Sequence, residues 1–264
     1  MYYFCTYFDQ NYLTRGLALY HSLVRHCAEF KLWVLCMDNL AKRELDKFKL
    51  ANIITIALEE FESGDEDLLR AKANRSTIEY YFTCTPSLPL YVLKRWAEVD
   101  LVTYLDADLY FFNSPELVFQ ELNGHSIGII GHNFTEHYKH LERYGIYNVG
   151  WLSFRRDSNA MACLSWWRDR CIEWCYDKYE NGLFADQKYL DEFPTRFDGV
   201  HVIQNKGANV APWNLAKGNI SVSVDDIRID DSPLIFFHFE GFKRVVWNVY
   251  DPNFFAYQVC TSKI

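Results

Sequence analysis

Two carboxylates stand where the chain is least polar. In the stretch Leu101 to Pro115, reading LVTYLDADLYFFNSP, Asp106 and Asp108 are separated by one alanine and bracketed by apolar runs. Leu101, Val102, Tyr104 and Leu105 have the make-up of a buried strand, and Leu109 to Phe112 form a second apolar run. Asn113-Ser114-Pro115 marks a turn and the opening of a helix. Ionised carboxylates beside a hydrophobic core are costly unless their charge is compensated. A hard divalent cation bound through oxygen, Mg²⁺ or Mn²⁺, is the natural compensator, and it usually brings a phosphate with it. Ordinary turn chemistry also produces a lone Asp-x-Asp, one acid ending the strand and the other turning the backbone.

Three further segments carry chemistry-capable residues. Phe236-Phe237-His238-Phe239-Glu240-Gly241-Phe242-Lys243 places an imidazole after an apolar strand, where a satisfied structural histidine is the commoner occupant. Tyr147 to Leu152 reads as a strand entered from a loop, with Gly150 allowing a ligand close to the backbone or, equally, making a bulge. Asp186 and Gln187 open a short helix, for which Asp186 can serve as N-cap. His132, His137 and His140 lie in a polar stretch that reads as a solvated segment, since no acidic ligand sits at a matching spacing.

The elements that must position these groups alternate. Tyr2 to Phe8, Phe30 to Met37 and Ile53 to Ile56 read as strands, with helices over Asn11 to His26 and Ala41 to Leu50. That order predicts a doubly wound α/β arrangement, in which ligands bind at the carboxyl ends of the strands. Tyr7-Phe8-Asp9 sits at one such end. Glu59 to Glu66 reads as an exposed acidic connection, and Leu68 to Tyr81 as a helix with Lys72 and Arg75 near its middle. Pro86 and Pro89 are expected to interrupt the pattern before a further helix from Leu90 to Trp96. Arg155 to Tyr179 reads as one long helix closed by Asn181-Gly182, with Cys163, Cys171 and Cys175 beside Trp166, Trp167 and Trp174 on a buried face.

At 264 residues the chain can bury a full core as one large domain. Half its residues are hydrophobic and 17% aromatic, which excludes a disordered segment. A net charge of −8 argues against nonspecific binding to nucleic acid or to an anionic membrane. No apolar run approaches the roughly 20 residues of a membrane span, and the first residues read as a strand and not as a signal peptide. Eight scattered cysteines, Cys260 included, are unlike a disulfide framework or a zinc knuckle. The expected compartment is the cytoplasm, with the inner face of the membrane as a peripheral location.

Taken in order, the Tyr7-Phe8-Asp9 loop, Asp106-Ala107-Asp108, Asn148-x-Gly150 with Asp186-Gln187, and His238-x-x-Gly241 resemble the motifs of GT-A glycosyltransferases. The resemblance is to family 8, which includes glycogenin and lipopolysaccharide galactosyltransferases, and it spans nearly the whole chain. It implies a GT-A (nucleotide-diphospho-sugar transferase) fold: a doubly wound mixed sheet flanked by helices in a single domain, 1–264. Residues 1 to about 112 would bind the nucleotide sugar, and about 113–264 the acceptor.

The family pattern assigns the metal, Mn²⁺ or Mg²⁺, to Asp106, Asp108 and His238; nitrogen among the ligands tilts the choice toward Mn²⁺. It implies donor contacts from Thr6, Tyr7, Asp9, Ala107, Asn148, Gly150 and Gly241, and a cation on the diphosphate. Asp186 and Gln187 would flank the anomeric carbon, orienting hydroxyls and stabilising developing positive charge. Trp213 and Asn214 are candidates for an acceptor groove, with core packing as the rival for Trp213.

Two departures stand out. The usual Lys-Pro-Trp is replaced by Lys243-Arg244-Val245-Val246-Trp247, so either cation can take the phosphate role. Ser87-Leu88-Pro89-Leu90 stands where the family often has an arginine, leaving Arg75 or Lys72 to replace it.

The activity so implied is metal-dependent transfer of a sugar, with retention, from a nucleoside-diphosphate sugar to a glycan, lipid-linked glycan or other hydroxyl acceptor. UDP is the family's usual nucleotide, and polysaccharide biosynthesis a plausible setting. An aspartate-based phosphotransferase or phosphatase is a rival, but it wants Thr or Val where Tyr110 stands. A non-catalytic carbohydrate-binding protein would have no need of Asp106, Asp108 and His238 together.

Overall fold

The computed structural model describes residues 1–224 and 226–259; Cys260 lies outside them. Seven strands form a mixed sheet: β1 (Tyr2–Phe8), β2 (Phe30–Cys36), β3 (Ile53–Ala57), β4 (Leu101–Leu105), β6 (Ile127–Gly131), β7 (Tyr147–Arg155) and β8 (Val200–Ile203), with β5 (Leu109–Phe111) outside it. Their order is β3-β2-β1-β4-β7-β6-β8. β1 pairs in parallel with both β2 and β4, whereas β7 runs antiparallel to β4 and β6. The chain leaves β1 toward β2 and β3, then returns to place β4 on the opposite side. The carboxyl ends of β1 and β4 therefore meet at a topological switch point, where crevices form in open α/β sheets.

Alternate residues of the parallel strands feed two cores. Cys5, Trp33 and Leu35 pack under α4 (Glu66–Lys72), α5 (Thr77–Arg95) and α7 (Ser158–Glu173). Phe4, Leu32 and Val34 pack under α1 (Leu13–His26), α2 (Asn39–Phe48) and α6 (Glu116–Glu121). The strands are buried on both faces, which explains their nearly continuous apolar sequences. The remaining α-helices and strands among the described residues are α3 (Leu58–Glu62), α8 (Phe193–Arg196), β9 (Ile220–Val222), β10 (Ile227–Ile229), β11 (Ser232–Pro233), β12 (Phe236–His238) and a hairpin of β13 (Lys243–Val246) and β14 (Val249–Asp251), with 3-10 turns over Glu136–Tyr144, Gln187–Glu192 and Leu215–Lys217.

Four expectations drawn from local pattern need correction. The acidic connection contains α3, and Glu62 at its end is buried, 2.6 Å from both the Lys72 ammonium and the Tyr80 hydroxyl. The helix expected over Leu68 to Tyr81 is two helices, because Ser76 and Glu79 form a capping box that starts α5 afresh. Pro86 and Pro89 do not end α5. Each interior proline costs roughly 3 kcal/mol, but Cys84, Leu88, Leu90, Val92 and Leu93 are all buried along it, at roughly 1.5–3 kcal/mol for each large side chain. Burial wins. Finally, α7 stops at Glu173, before Asn181-Gly182, and Arg155 still belongs to β7. Cys163, Cys171, Cys175 and Trp167 are buried as expected.

Candidate functional site

β4 ends at Leu105, and the backbone turns at once: Leu109 N–H donates to the Asp106 carbonyl at 3.2 Å. Asp106 and Asp108 sit in this turn, clamped from β7 by Asp106 N–H donating to the Gly150 carbonyl at 3.1 Å. β5 then pairs antiparallel with β12, so that His238 lies opposite Leu109. That register brings a residue from late in the chain to the two acids. His238 Nε2 lies 3.2 Å from Asp108 Oδ1 and 3.6 Å from Asp106 Oδ2. One ligand atom from each of the three residues fits within 4.8 Å of the others. The acids keep 12% and 28% side-chain exposure for Asp108 and Asp106, so both open on the same cavity, while His238 is buried behind them.

Electrostatics tie the three together. Burial raises the Asp106 carboxyl above the usual carboxylate range, with the Asp108 charge adding to it against the pull of His238. Burial pushes Asp108 the same way, but the His238 charge and hydrogen bond prevail and hold it low. His238 is raised despite its burial, because both acids favour the imidazolium. Two carboxylate oxygens and one imidazole nitrogen, converging and short of positive charge, are a donor set that fits Mn²⁺ or Mg²⁺.

The cavity above them measures about 850 Å³ and is lined by Tyr7, Tyr12, Tyr81, Phe134, Tyr144 and Trp213 among other aromatic groups. Of the residues singled out in the sequence, Tyr7, Asp9, Ala107, Asn148, Gln187 and Trp213 join the metal-ligand candidates in its wall. Asp9 Oδ1 accepts from Asn11 N–H at 2.9 Å, which turns the chain into α1. Tyr7 hydroxyl lies 3.2 Å from Thr85 Oγ1. Trp213 is almost wholly buried, its indole N–H donating to the His132 carbonyl at 2.8 Å, with its ring 5.3 Å from that of His238.

Asp186 is buried just behind the wall. It follows Ala185, whose φ of 46° is left-handed, a conformation costing a non-glycine residue roughly 1–2 kcal/mol. Its side chain caps no helix; the carboxyl faces the Thr85 hydroxyl instead, and burial pushes it up to about 7. Neighbouring Gln187 donates from Nε2 to the Tyr144 carbonyl at 3.3 Å.

Other expected residues lie elsewhere. Arg75 is outside the cavity, hydrogen-bonded to the Tyr176 hydroxyl at 2.7 Å and to the Ile172 carbonyl at 3.1 Å, and stacked on the Tyr176 ring. Lys72 is held by Glu62. Thr6 is wholly buried, and its hydroxyl finds no partner. The Asn214 side-chain amide is used up locally, by the His132 and Asn209 carbonyls and by Ala211 N–H. Gly241 has φ +70° beside Asn253, outside the cavity wall. Lys243 and Arg244 stand on the exposed β13–β14 hairpin. Lys243 faces Asp251 at 3.7 Å, whereas Arg244 joins Arg15 in lining a second cavity that shares Asp108 with the first.

Asn148, in the cavity wall, and Gly150 also have a task within the protein. Asn148 is buried between His132 and His238, bonded to both, and a Cβ on Gly150 would lie 2.6 Å from Asn148 Oδ1 and 2.9 Å from His238 Nδ1. The glycine admits these side chains against the backbone. Of the three clustered histidines, His132 is buried at the cavity while His137 and His140 are exposed. Local polarity hid that difference. Tyr104, which donates to Asp106, was also missed, although it stands only two residues earlier in the chain.

Comparison with known proteins agrees with this architecture. No family model matches the chain. It is 32% identical over 247 residues to the uncharacterized protein YfnD of Bacillus subtilis (strain 168), covering 92% of this chain and 79% of YfnD. To the uncharacterized protein YfnF of the same organism it is 34% identical over 253 residues, covering 93% and 83%. Among solved structures, an active-site variant of LgtC superposes with a TM-score of 0.59 at 20% identity, covering 93% of this chain and 92% of LgtC. The galactosyltransferase LgtC in complex with donor and acceptor sugar analogues gives the same TM-score, covering 90% and 87% at 20% identity. Mouse xyloside xylosyltransferase 1 gives 0.57 at 13% identity, covering 91% and 98%. The chain belongs to the family of Bacillus subtilis YfnD and YfnF, and its fold is the GT-A glycosyltransferase fold of the family 8 kind.

Proposed function

We propose that this protein transfers a sugar from a nucleoside-diphosphate sugar, with UDP as the leading nucleotide, to a hydroxyl of a glycan or lipid-linked glycan. The carrying observation is the meeting of Asp106, Asp108 and His238 at the switch point, under an aromatic cavity of about 850 Å³. Asp106, Asp108 and His238 would hold a divalent cation, Mn²⁺ ahead of Mg²⁺, and its chemistry there would be Lewis-acid neutralisation of the departing diphosphate. The chain's own groups then divide the remaining tasks. Tyr7, Asp9 and Tyr81, at the β1 end of the cavity, receive the nucleobase, which makes the segment up to about residue 112 the donor half. Arg15 and Arg244, beside Asp108, are the cations best placed for phosphate; Lys243 has its own carboxylate.

Asp186 and Gln187 border the sugar. Trp213, Phe134 and Tyr144 give an apolar face for stacking and keep water from the anomeric carbon. Transfer with retention needs no dedicated base, since the departing phosphate oxygen can take the acceptor proton. Among the described residues no helix is long and apolar enough to cross a membrane, and we place the reaction on the cytoplasmic side.

The test is calorimetric titration of UDP into metal-free protein, with and without Mn²⁺, for the wild type and Asp108→Ala. Binding that requires Mn²⁺ and disappears in the variant supports the reading. If GDP, CDP and dTDP are silent as well as UDP, the reading fails. A phosphoenzyme on Asp106 would transfer support to the phosphotransferase alternative.

A further inference from the structure

The chain of side chains behind the candidate metal centre has a direction that can be derived bond by bond. The Gly150 backbone N–H can only donate, and it lies 3.0 Å from one end of the Asn148 amide, which must be the oxygen Oδ1. The other end, Nδ2, can then only donate. It faces His132 Nε2 at 3.1 Å, so that nitrogen carries the lone pair. The His132 proton sits on Nδ1, 3.3 Å from the Ile146 carbonyl oxygen. Burial keeps this ring neutral by pushing it down to about 3.

At the opposite end, Asn148 Oδ1 can only accept, and it lies 3.2 Å from His238 Nδ1. That nitrogen must carry the proton. In the neutral ring the lone pair is thereby left on Nε2, the atom facing Asp108 and Asp106. His132 is itself immobilised, stacked on Phe134 at 4.7 Å with Trp213 against its edge. His132, Asn148 and His238 are all buried, and water offers no ready substitute for a lost partner among them.

We propose that His132 is a positioning residue. By accepting from Asn148 Nδ2 it holds the amide in one orientation, and through that amide fixes the His238 tautomer that presents Nε2 to a divalent cation. The inference rests on the metal reading above. It adds that the affinity of the centre depends on an acceptor atom which never touches the ion. Outer partners of this kind change metal affinity by roughly 10–100-fold when removed.

The test compares His132→Phe, which keeps an aromatic ring of similar bulk but has no acceptor, with His132→Gln, whose Oε1 can take the place of Nε2. Mn²⁺ is titrated into each protein without nucleotide, following the spin-resonance signal of the free ion. Pulsed measurement of the bound ion reports coupling to imidazole nitrogen, and thermal unfolding reports whether each variant is folded. The expected result is weaker Mn²⁺ binding in the Phe variant, by roughly 10–100-fold, with altered nitrogen coupling. The Gln variant should stay within about threefold of the wild type, with its nitrogen coupling intact. Equal affinity in the two folded variants, whether both normal or both weakened, overturns the proposal. Failure of the wild type to bind Mn²⁺ overturns the metal reading itself and this inference with it.

Discussion

The Tyr104 hydroxyl donates a 2.9 Å hydrogen bond to Asp106 Oδ1, from inside β4 to the first residue after it. With Oδ1 so engaged, Asp106 turns Oδ2 toward His238. Tyr104 itself is buried against the sheet, its ring 5.7 Å from that of Tyr7. Removing the hydroxyl leaves the ring packing in place and frees the carboxylate to rotate. Tyr104→Phe should weaken Mn²⁺ binding by roughly tenfold with little loss of fold. Calorimetric Mn²⁺ titration checks this, and an unchanged affinity would remove Tyr104 from the site.

Asp186 gives a pH signature. Its carboxyl is raised by burial from 3.8 to about 7, so the folded protein holds the proton more tightly than the unfolded chain. The stability this proton contributes is fully present below about pH 3.8 and is lost as pH rises through about 7. A shift of that size corresponds to on the order of 4 kcal/mol. Asp186→Asn, neutral at every pH, should therefore match the wild type near pH 4 and be the more stable protein at pH 8, in the absence of donor. Urea unfolding at the two pH values measures the difference; parallel behaviour of the two proteins would show that the carboxylate ionises without penalty.

Arg75 should separate stability from binding. Its guanidinium braces the end of α7 through Tyr176 and Ile172 and does not reach the cavity. Arg75→Ala loses hydrogen bonds to Asn74, Tyr176 and Ile172 and a ring contact, a destabilisation of about 2 kcal/mol. Affinity for UDP with Mn²⁺ should change less than twofold. A selective collapse of nucleotide binding in a folded variant would return Arg75 to the donor site.

What the sequence disclosed, and what it concealed, follows from the range of the forces involved. Strands such as FKLWVLCM announce themselves because both faces are buried, and Asp106-Ala107-Asp108 is visible because charge is rare in such company. The pairing of β5 with β12, by contrast, depends on residues more than a hundred positions apart, and only family resemblance linked His238 to the acids. The continuity of α5 through Pro86 and Pro89 was hidden for a similar reason: local propensity argues for a break, and the tertiary burial that overrules it leaves no local mark. Arg75 and Lys72 were attractive because Tyr176 is 101 positions from Arg75, while Glu62, only 10 residues before Lys72, reads as part of an exposed acidic connection. His132 looked like its exposed neighbours His137 and His140 because polarity in a window of sequence says nothing about which ring turns inward.

All seven cysteines among the described residues are free, so no disulfide ties one of these described segments to another. The joint of β5 and β12 behind Asp106, Asp108 and His238 offers something comparable. A cation shared by these three residues closes a long loop of chain, as a cross-link does, but one that forms and dissolves with the composition of the solution. Above its dissociation constant, each tenfold rise in that cation adds about 1.4 kcal/mol to the free energy of unfolding. Resistance to unfolding and readiness to bind a diphosphate become two readings of one occupancy, and a chelator should lower both together.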